Sequence, residues 1–248
     1  MPTPDSSSTK LSGQVALVTG SAKRLGRAIA LHLAQQGASV VVHFHRSDAE
    51  AENVVSEIAK LGRRATCLQA DLAKKSAIDQ LFADVSNEFG RLDILVNNAS
   101  NFLHTEFQTT SEESWDASLD VNLKAPFFCA QAAAPLLKKN RGVIISLSDV
   151  GGLLGWTGYI PHCVSKAGIL MLTRALAKEL APEVRVNAIA PGTISMPGDL
   201  PDLESDYIKR APLRRTGTMA DVTAAVSFLV NSPFITGQVL VLDGGRTL

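Results

Sequence analysis

Short runs of β-branched and apolar residues alternate with longer helical patterns, and this alternation constrains the fold more than any other feature of the sequence. The candidate strands are Val15–Thr19, Ser39–Phe44, Ala65–Gln69, Ile94–Val96, Val143–Leu147, Val184–Ile189 and Val239–Leu242. The candidate helices between them are Gly26–Gln36, Ala49–Leu61, Lys75–Phe89, Glu112–Lys138, Pro161–Leu180 and Ala220–Leu229. Strands that alternate with helices form parallel sheets, and short apolar strands suit a sheet covered on both faces. The sequence therefore predicts an α/β fold: a single Rossmann-like, doubly wound parallel sheet of about seven strands with helices on both faces.

The length of the chain favours one domain. With 248 residues, of which 46% are hydrophobic, it can bury one substantial core. We expect a polar, disordered tail at 1–12 and a single domain at 13–248. The irregular, proline-containing stretch Gly192–Thr218 follows a predicted strand end, where such sheets bind ligands. It is expected to be a substrate lid, and an ordinary surface loop is the alternative.

Composition excludes several classes of function. The 24 basic and 24 acidic residues balance, so no net field would attract nucleic acid or an anionic membrane. The polar start lacks the apolar run of a secretory signal, and no stretch reaches the roughly 20 apolar residues of a membrane helix. Three scattered cysteines make neither a disulfide framework nor a metal knuckle. We therefore expect a soluble, cytoplasmic protein without a metal site.

A glycine-containing turn follows the first predicted strand, in the sequence Thr19-Gly20-Ser21-Ala22-Lys23-Arg24-Leu25-Gly26. Gly20 permits a tight turn, Gly26 permits close packing, and the next helix offers unpaired N–H groups to a phosphate. Two glycines after a strand are weak evidence by themselves. Their place at the first strand-to-helix junction favours a dinucleotide site.

The end of the second strand indicates which dinucleotide binds. Folds that select NAD carry an acid there for the ribose 2′-hydroxyl, whereas this chain has His45-Arg46-Ser47. The planar guanidinium of Arg46 can bind a 2′-phosphate through two hydrogen bonds. A solvated basic turn is the alternative interpretation. The sequence predicts NADP(H) as the cofactor.

Later motifs complete a resemblance that extends along nearly the whole chain. Asp149 follows the fifth strand, His162 comes thirteen residues later, and Lys166 shares a helix face with it at i+4. With the glycine-containing turn, Asp71, Asn97-Asn98-Ala99 and Asn122, this layout resembles the short-chain dehydrogenase/reductase family. Within that family it looks most like the pteridine reductases. The residues that carry this closer likeness are Arg24 in the turn, His45-Arg46-Ser47, Asn98-Ala99-Ser100-Asn101-Phe102, Asp149, and Ile235-Thr236-Gly237 with Asp243-Gly244-Gly245.

The resemblance implies roles for individual residues. Asp71 would contact the adenine, Asn98 and Lys166 the ribose, and Phe102 would stack on a pterin. The cofactor set is Gly20, Arg24, Leu25, Gly26, His45, Arg46, Ser47, Asp71, Leu72, Asn98, Ala99, Ser100, Lys166, Pro191 and Gly192. The substrate set is Ser100, Phe102, Asp149 and His162, and the catalytic set is Asp149, His162, Lys166 and Asn122, the last supporting a proton relay. The resemblance also implies a homotetramer. Taken singly, Asp71 could be a helix cap, Asn98 a turn residue, Lys166 a solvated lysine and Phe102 a packing residue.

The sequence departs from the family's YxxxK motif, because His162 stands where the tyrosine would be. Tyr159 is no simple replacement, since Pro161 should occupy the first helical turn and leave it outside the helix. A protonated imidazole could donate the proton that hydride addition requires, and a neighbouring Asp149 would stabilise that cation. Asp149 and His162 are therefore predicted to form one proton-donating unit. Asp149 acting alone, or a non-catalytic His162, are the alternatives.

Three functions fit these observations. The first is an NADPH-dependent reductase of a pteridine or a similar flat heterocycle. The second is a reductase of ketones or 3-oxoacyl thioesters, which the same fold can host. The third is an NADP(H)-binding module with little or no catalysis, since the tyrosine is absent.

Overall fold

A computed structural model describes residues 10–196 and 207–248 of the chain. Most of the predicted tail, residues 1–9, therefore lies outside the described residues. Residues 10–12 form a turn in which Leu11 is buried, and its N–H donates to the carbonyl of Gln36. Leu11 thus packs in the core although it lies in the segment predicted to be the tail, and the domain bounds remain a prediction.

Seven parallel strands form one sheet, and the predicted fold class is confirmed. Their order across the sheet is β3-β2-β1-β4-β5-β6-β7. The strands are β1 Val15–Val18, β2 Ser39–Phe44, β3 Ala65–Gln69, β4 Ile94–Asn97, β5 Val143–Leu147, β6 Arg185–Pro191 and β7 Val239–Leu242. The order reverses between β1 and β4, which creates a crevice at the carboxyl ends of the strands.

Helices cover both faces of this sheet. They are α1 Arg24–Gln35, α2 Asp48–Lys60, α3 Lys75–Phe89, α4 Glu112–Leu119, α5 Ala125–Asn140, α6 Ile160–Glu179 and α7 Met219–Val230. Apolar residues of α1, α2 and α7 pack on one face of the sheet, and those of α3, α5 and α6 pack on the other. Neighbouring strand residues such as Leu17 and Val18 therefore belong to different cores, which is why whole strands are apolar.

The helix predicted at Glu112–Lys138 is interrupted by a π-helical turn at Asp120–Lys124. Pro126 explains the interruption, because it lacks the N–H that would donate to the carbonyl of Asn122 in an α-helix. The N–H of Ala125 donates instead to the carbonyl of Asp120, five residues back. Such π-turns frequently occur at functional sites.

The segment predicted to be a lid is only partly described. Ile194 and Gly217 pair in an isolated bridge, and residues 207–210 are helical rather than irregular. Residues 197–206 lie outside the described part, so the lid remains a prediction.

Among the described residues, no helix combines the length and apolar character needed to cross a membrane. Within residues 10–196 and 207–248, no group of three or more His, Cys, Asp or Glu side chains could hold a metal ion.

Candidate active site

A cavity of about 980 Å³ opens at the crevice where the strand order reverses. Every residue predicted to bind the cofactor lines it. Phe102, Asp149 and His162 also line it, whereas Asn122 is not among its lining residues. Residues that are more than 150 positions apart in the sequence therefore meet in one cavity, as the parallel sheet requires.

The glycine-containing turn leaves its backbone open to an anion. Gly20 has a φ of +63°, which favours glycine, and a Cβ on Gly26 would lie 2.3 Å from the carbonyl oxygen of Gly20. Helix α1 begins at Arg24 without a side-chain cap, and its first turn contains no acid. Within the described residues, no acid of this first turn competes for the N–H groups of the positive helix end, as a dinucleotide phosphate would require.

Arg24 takes a left-handed conformation, with a φ of +49°, at the start of α1. This conformation is unfavourable for a residue that carries a Cβ. The Nε of Arg24 donates to the Sδ of Met196 at 3.0 Å, in the segment that follows β6. The side chain thus reaches from the turn to the other wall of the cavity.

His43 at the end of β2 is a site residue that the sequence analysis missed. Its Nδ1 accepts from the N–H of Gly20 at 3.0 Å, and its Nε2 lies 3.1 Å from the carbonyl oxygen of Ala70. Because a carbonyl only accepts, Nε2 carries the proton. Burial lowers the pKa of His43 to about 4, with the nearby His45 adding to this effect, while the bond to Ala70 opposes it. A polar residue between apolar Val42 and Phe44 was the signal available in the sequence.

The predicted 2′-phosphate site lies at the rim of the cavity. His45 and Arg46 are exposed, and Ser47 is the N-cap residue of α2. Lys23 pairs with Glu50 at 2.8 Å beside them. The cations here face solvent, so a phosphate bound to them would stay partly hydrated.

Asn98 holds the glycine-containing turn in place. Its Nδ2 donates to the carbonyl oxygens of Thr19 at 2.9 Å and Gly20 at 3.1 Å. The hydroxyl of Thr19 accepts from the backbone N–H groups of Asn98 and Ala99. The amide predicted to bind the ribose thus already donates two hydrogen bonds to the turn.

Asn122, in the π-turn, joins three segments behind the cavity. Its Oδ1 accepts from the hydroxyl of Ser100 and from the N–H of Asn101. Its Nδ2 donates to the carbonyl of Asn101 and to the hydroxyl of Ser165 on α6. These contacts fix the loop after β4 against α6, and none of them reaches Lys166.

Asp149 and His162 form a hydrogen-bonded pair at the catalytic end. The Nε2 of His162 lies 2.8 Å from Oδ2 of Asp149, while Oδ1 of Asp149 accepts from the N–H of Gly151 at 2.8 Å. The side chain of Asp149 is 23% exposed and that of His162 only 2%. The Nδ1 of His162 is buried without a hydrogen-bond partner among the described residues. Both side chains line the cavity, and the carboxyl group is the more exposed of the two.

Lys166 lies one helical turn beyond His162 and is buried. Its Nζ donates to the carbonyl oxygen of Leu147 at 3.0 Å. Burial lowers the pKa of Lys166, and the negative charge of Asp149 partly offsets that effect. The hydroxyl of Ser148 donates to the backbone carbonyl of Lys166 and ties α6 to the end of β5.

Aromatic rings cover the mouth of the cavity beside this pair. Phe102 is 58% exposed and stacks on Tyr159, with ring centroids 4.4 Å apart and an interplanar angle of 12°. Its edge-on contact with His162 has a centroid distance of 4.8 Å. Tyr159 is the N-cap residue of α6 and lies outside the helix.

Comparisons with known proteins identify the class to which the chain belongs. A family model described as enoyl-(acyl carrier protein) reductase matches residues 20–247. A 3-oxoacyl-[acyl-carrier-protein] reductase of Synechocystis sp. is 39% identical over 97% of this chain and 99% of its own. The corresponding enzyme of Staphylococcus epidermidis is 38% identical over 93% of this chain and 97% of its own. The chain belongs to the short-chain dehydrogenase/reductase family and is an oxidoreductase that uses a nicotinamide cofactor and a small-molecule substrate.

Solved structures agree with this assignment. A 7α-hydroxysteroid dehydrogenase in complex with NADH and 7-oxo glycochenodeoxycholic acid has a TM-score of 0.90 and 31% identity, and the match covers 97% of each chain. A blue fluorescent protein from a metagenomic library, in complex with NADPH, has a TM-score of 0.90 and 30% identity over 96% of this chain and 99% of its own.

The predicted likeness to pteridine reductases, and the pteridine function drawn from it, are wrong. The similar relatives named above are 3-oxoacyl reductases, which match the second function considered from the sequence. In the structure one face of the Phe102 ring, which was expected to stack on a pterin, stacks on Tyr159.

Proposed function

We propose that this protein is an NADP(H)-dependent reductase of 3-oxoacyl thioesters. The observation that carries the proposal is one cavity that joins a phosphate-accepting turn to the Asp149–His162 pair. The 3-oxoacyl reductases at 38–39% identity support the substrate class. A binding module without catalysis would need no hydrogen-bonded acid beside a buried lysine at this place.

The choice of NADP(H) rests on the rim residues of the cavity. The segment His45-Arg46-Ser47 offers hydrogen-bond donors where a carboxylate would otherwise bind a ribose hydroxyl. Arg46 can bind a 2′-phosphate with two hydrogen bonds, whereas Lys23, which lines the same cavity, is already paired with Glu50.

The cofactor supplies the hydride, and this chain's side chains supply the proton. Hydride addition to the 3-oxo carbon breaks the carbonyl π bond and leaves a negative charge on oxygen. Asp149 is the more exposed member of the pair, so its carboxyl group meets that oxygen. His162, the more buried member, shares the pair's additional proton with Asp149 across the 2.8 Å hydrogen bond. Asp149 passes that proton to the oxygen, which leaves a carboxylate hydrogen-bonded to a neutral imidazole. The order differs from sites in which a buried carboxylate orients an exposed imidazole.

Counting protons defines the active form of the pair. A carboxylate with a neutral imidazole has one proton in its hydrogen bond and cannot give it up without leaving an imidazolate. The form that drives reduction therefore carries one proton more, shared between Asp149 and His162. The form that lacks it is the base for the reverse reaction, oxidation of the 3-hydroxyacyl thioester. Reduction should slow, and oxidation should accelerate, as pH rises.

Three further residues lie close to the Asp149–His162 pair. Lys166 lies on the same helix face, Tyr159 precedes α6, and the thiol of Cys163 is partly buried next to His162. Burial raises the pKa of the Cys163 thiol, which keeps it neutral and outside the proton count. Lys166 orients the pair through its contact with the carbonyl of Leu147, at the end of the strand that leads to Asp149.

We also propose that the chain assembles as a homotetramer through α5 and α6. Large apolar side chains are exposed there, including Phe127 on α5 and Val164 and Met171 on α6. Burial of such side chains in a symmetric interface would remove them from water. Light scattering should give four times the mass of the chain, and Met171→Lys should lower it. A monomeric mass at micromolar concentration would refute the assembly.

A substrate panel tests the proposed function. The panel contains a 3-oxobutanoyl thioester, the corresponding 2-enoyl thioester and a pterin, each offered with NADPH and with NADH. We expect turnover of the 3-oxo thioester with NADPH and little of the others. Reduction of the enoyl thioester alone would favour the enoyl reductase chemistry for which the matching family is described. No turnover of any substrate, with tight NADPH binding, would support the binding module instead.

A further inference from the structure

A buried histidine connects two turns on opposite sides of the dinucleotide site. We propose that His43 is a positioning residue that sets the spacing between the glycine-containing turn after β1 and the turn before Asp71. In this family the first turn would receive the pyrophosphate and the second the adenine. The inference rests on the nicotinamide cofactor of the family and not on which substrate is reduced.

The topology gives β2 access to both turns. Strand β2 lies between β1 and β3, with Val18 opposite Val42 on one side and His43 opposite Leu68 on the other. His43 therefore stands one residue beyond the end of β1, beside Gly20. The last paired residue of β3 is Gln69, so Ala70 begins the second turn.

His43 contacts both turns through its side chain and its backbone. Its carbonyl accepts from the N–H of Ser21 at 2.9 Å, and its Nδ1 accepts from the preceding N–H, that of Gly20, at 3.0 Å. The Nε2–H donates to Ala70 at 3.1 Å. Two consecutive amides of the turn are thus directed at one residue.

These bonds determine which amides remain for a phosphate. The N–H groups of Gly20 and Ser21 point towards His43, so the anion must use N–H groups nearer the start of α1. Gly20 has a left-handed φ in the same turn in which its N–H donates to His43. An apolar residue at position 43 would leave the carbonyl of buried Ala70 without this donor and free the turn to shift.

The neutral state of His43 is necessary for this arrangement. Only a neutral ring can accept at Nδ1 while donating at Nε2. Burial keeps the pKa of His43 near 4, so this tautomer persists at neutral pH. His45, on the same strand end, lowers the pKa of His43 further, because two positive charges so close together would repel each other.

Two substitutions separate the two bonds. In His43→Asn a short amide can still accept from Gly20 but cannot reach Ala70, whereas His43→Leu removes both contacts. Val41→Ala is the matched control, because Val41 is buried two residues earlier on the same strand and its apolar side chain can make no hydrogen bond to either turn. Calorimetry should measure the Kd of NADP+, and thermal melting without cofactor should measure stability.

We expect His43→Leu to raise the Kd of NADP+ about tenfold, because the turn that would receive the pyrophosphate loses its contact with His43 Nδ1 and Ala70 loses its donor. His43→Asn should fall between it and the wild type, and Val41→Ala should lower the melting temperature without changing the Kd. In the reaction, His43→Asn should raise the KM for NADPH and leave kcat unchanged. An unchanged Kd in His43→Asn, or an equal loss in Val41→Ala, would overturn the proposal even if His43→Leu fails to fold. A wild type that binds neither NADP+ nor NAD+ would refute the cofactor assignment itself.

Discussion

The two ends of the cavity are built in different ways. At the cofactor end, an uncapped helix start and exposed cations face the cavity, and side chains such as those of Asn98 and His43 mainly hold backbone in place. At the proton-transfer end, the carboxyl group of Asp149 lies against the buried side chain of His162, with buried Lys166 one helical turn away. The cofactor end therefore depends on backbone shape, whereas the other end depends on the identity of particular side chains.

This difference determines how each end of the cavity should respond to substitution. Arg24 adopts the left-handed conformation that favours glycine, and the turn still closes around Gly20 and Gly26. At the other end, a substitution of Asp149 or His162 would change the groups proposed to carry the proton. A substitution at the cofactor end should change backbone strain and cofactor affinity, whereas a substitution at the Asp149–His162 pair should change proton transfer.

The largest effect is expected from breaking the pair at His162. His162→Phe should lower the rate of reduction by about 10²–10⁴-fold, the usual contribution of a positioned proton donor, with an unchanged Kd for NADPH. His162→Gln is the control, because it can still donate a hydrogen bond to Asp149 but cannot hold a mobile proton. Recovery of the rate by glutamine would mean that the histidine only orients Asp149.

Acid should weaken the folded protein through His43. Its pKa is about 4 in the folded chain, against an ordinary value of 6.5, so the unfolded chain binds more protons between these values. The free energy of unfolding should therefore fall as pH drops from 6.5 towards 4, by up to about 1.4 kcal/mol per pH unit. Denaturant titrations at several pH values should show a smaller decline in His43→Asn. A decline identical in both proteins would contradict this assignment.

Arg46→Ala should weaken NADPH binding by about tenfold and leave NADH binding unchanged. The expected loss is about 1.4 kcal/mol, at the low end for a hydrogen bond to a charged group, because Arg46 is exposed and the phosphate stays hydrated. Fluorescence titration of both cofactors measures the effect, with Lys60→Ala at the end of α2 as a charge-matched control. Equal affinities in the wild type would exclude NADP(H) preference.

Arg24→Gly should give the smallest effect, an increase in the free energy of unfolding. Relief of the left-handed backbone should stabilise the fold by about 0.5–1 kcal/mol, reduced by the greater entropy of glycine in the unfolded chain. Cofactor affinity should fall at the same time, because the guanidinium is lost from the cavity. If Arg24→Gly is less stable than the wild type, the contacts of the arginine side chain, including that with Met196, outweigh the backbone strain.

Local patterns in the sequence were sufficient to predict the sheet and the residues that line the cavity at its carboxyl edge. Strand periodicity and glycine positions act over a few residues, so β2, β3, β5 and β7 were predicted with their observed bounds. The π-turn at Asp120–Lys124 was missed because it depends on one absent N–H, that of Pro126. The role of His43 was missed because it depends on contacts across three strands.

The proton-transfer end was predicted only in part. The spacing of Asp149, His162 and Lys166 was enough to expect that they meet, and the structure brings Asp149 and His162 within 2.8 Å. Which of the two is more exposed to the cavity depends on packing around α6, and no pattern in the sequence reports that. The sequence did not reveal that Phe102 stacks on Tyr159, because this contact joins two loops that are distant in sequence.

Single-turnover oxidation of bound NADPH by a 3-oxobutanoyl thioester, in wild type and in Asp149→Asn, tests the account most directly. The wild type should oxidise NADPH at a rate that falls as pH rises. Asp149→Asn should bind NADPH equally well, react about 10²-fold or more slowly, and lose that pH dependence. An Asp149→Asn variant that reacts at the wild-type rate across the pH range would contradict the claim that Asp149 and His162 supply the proton.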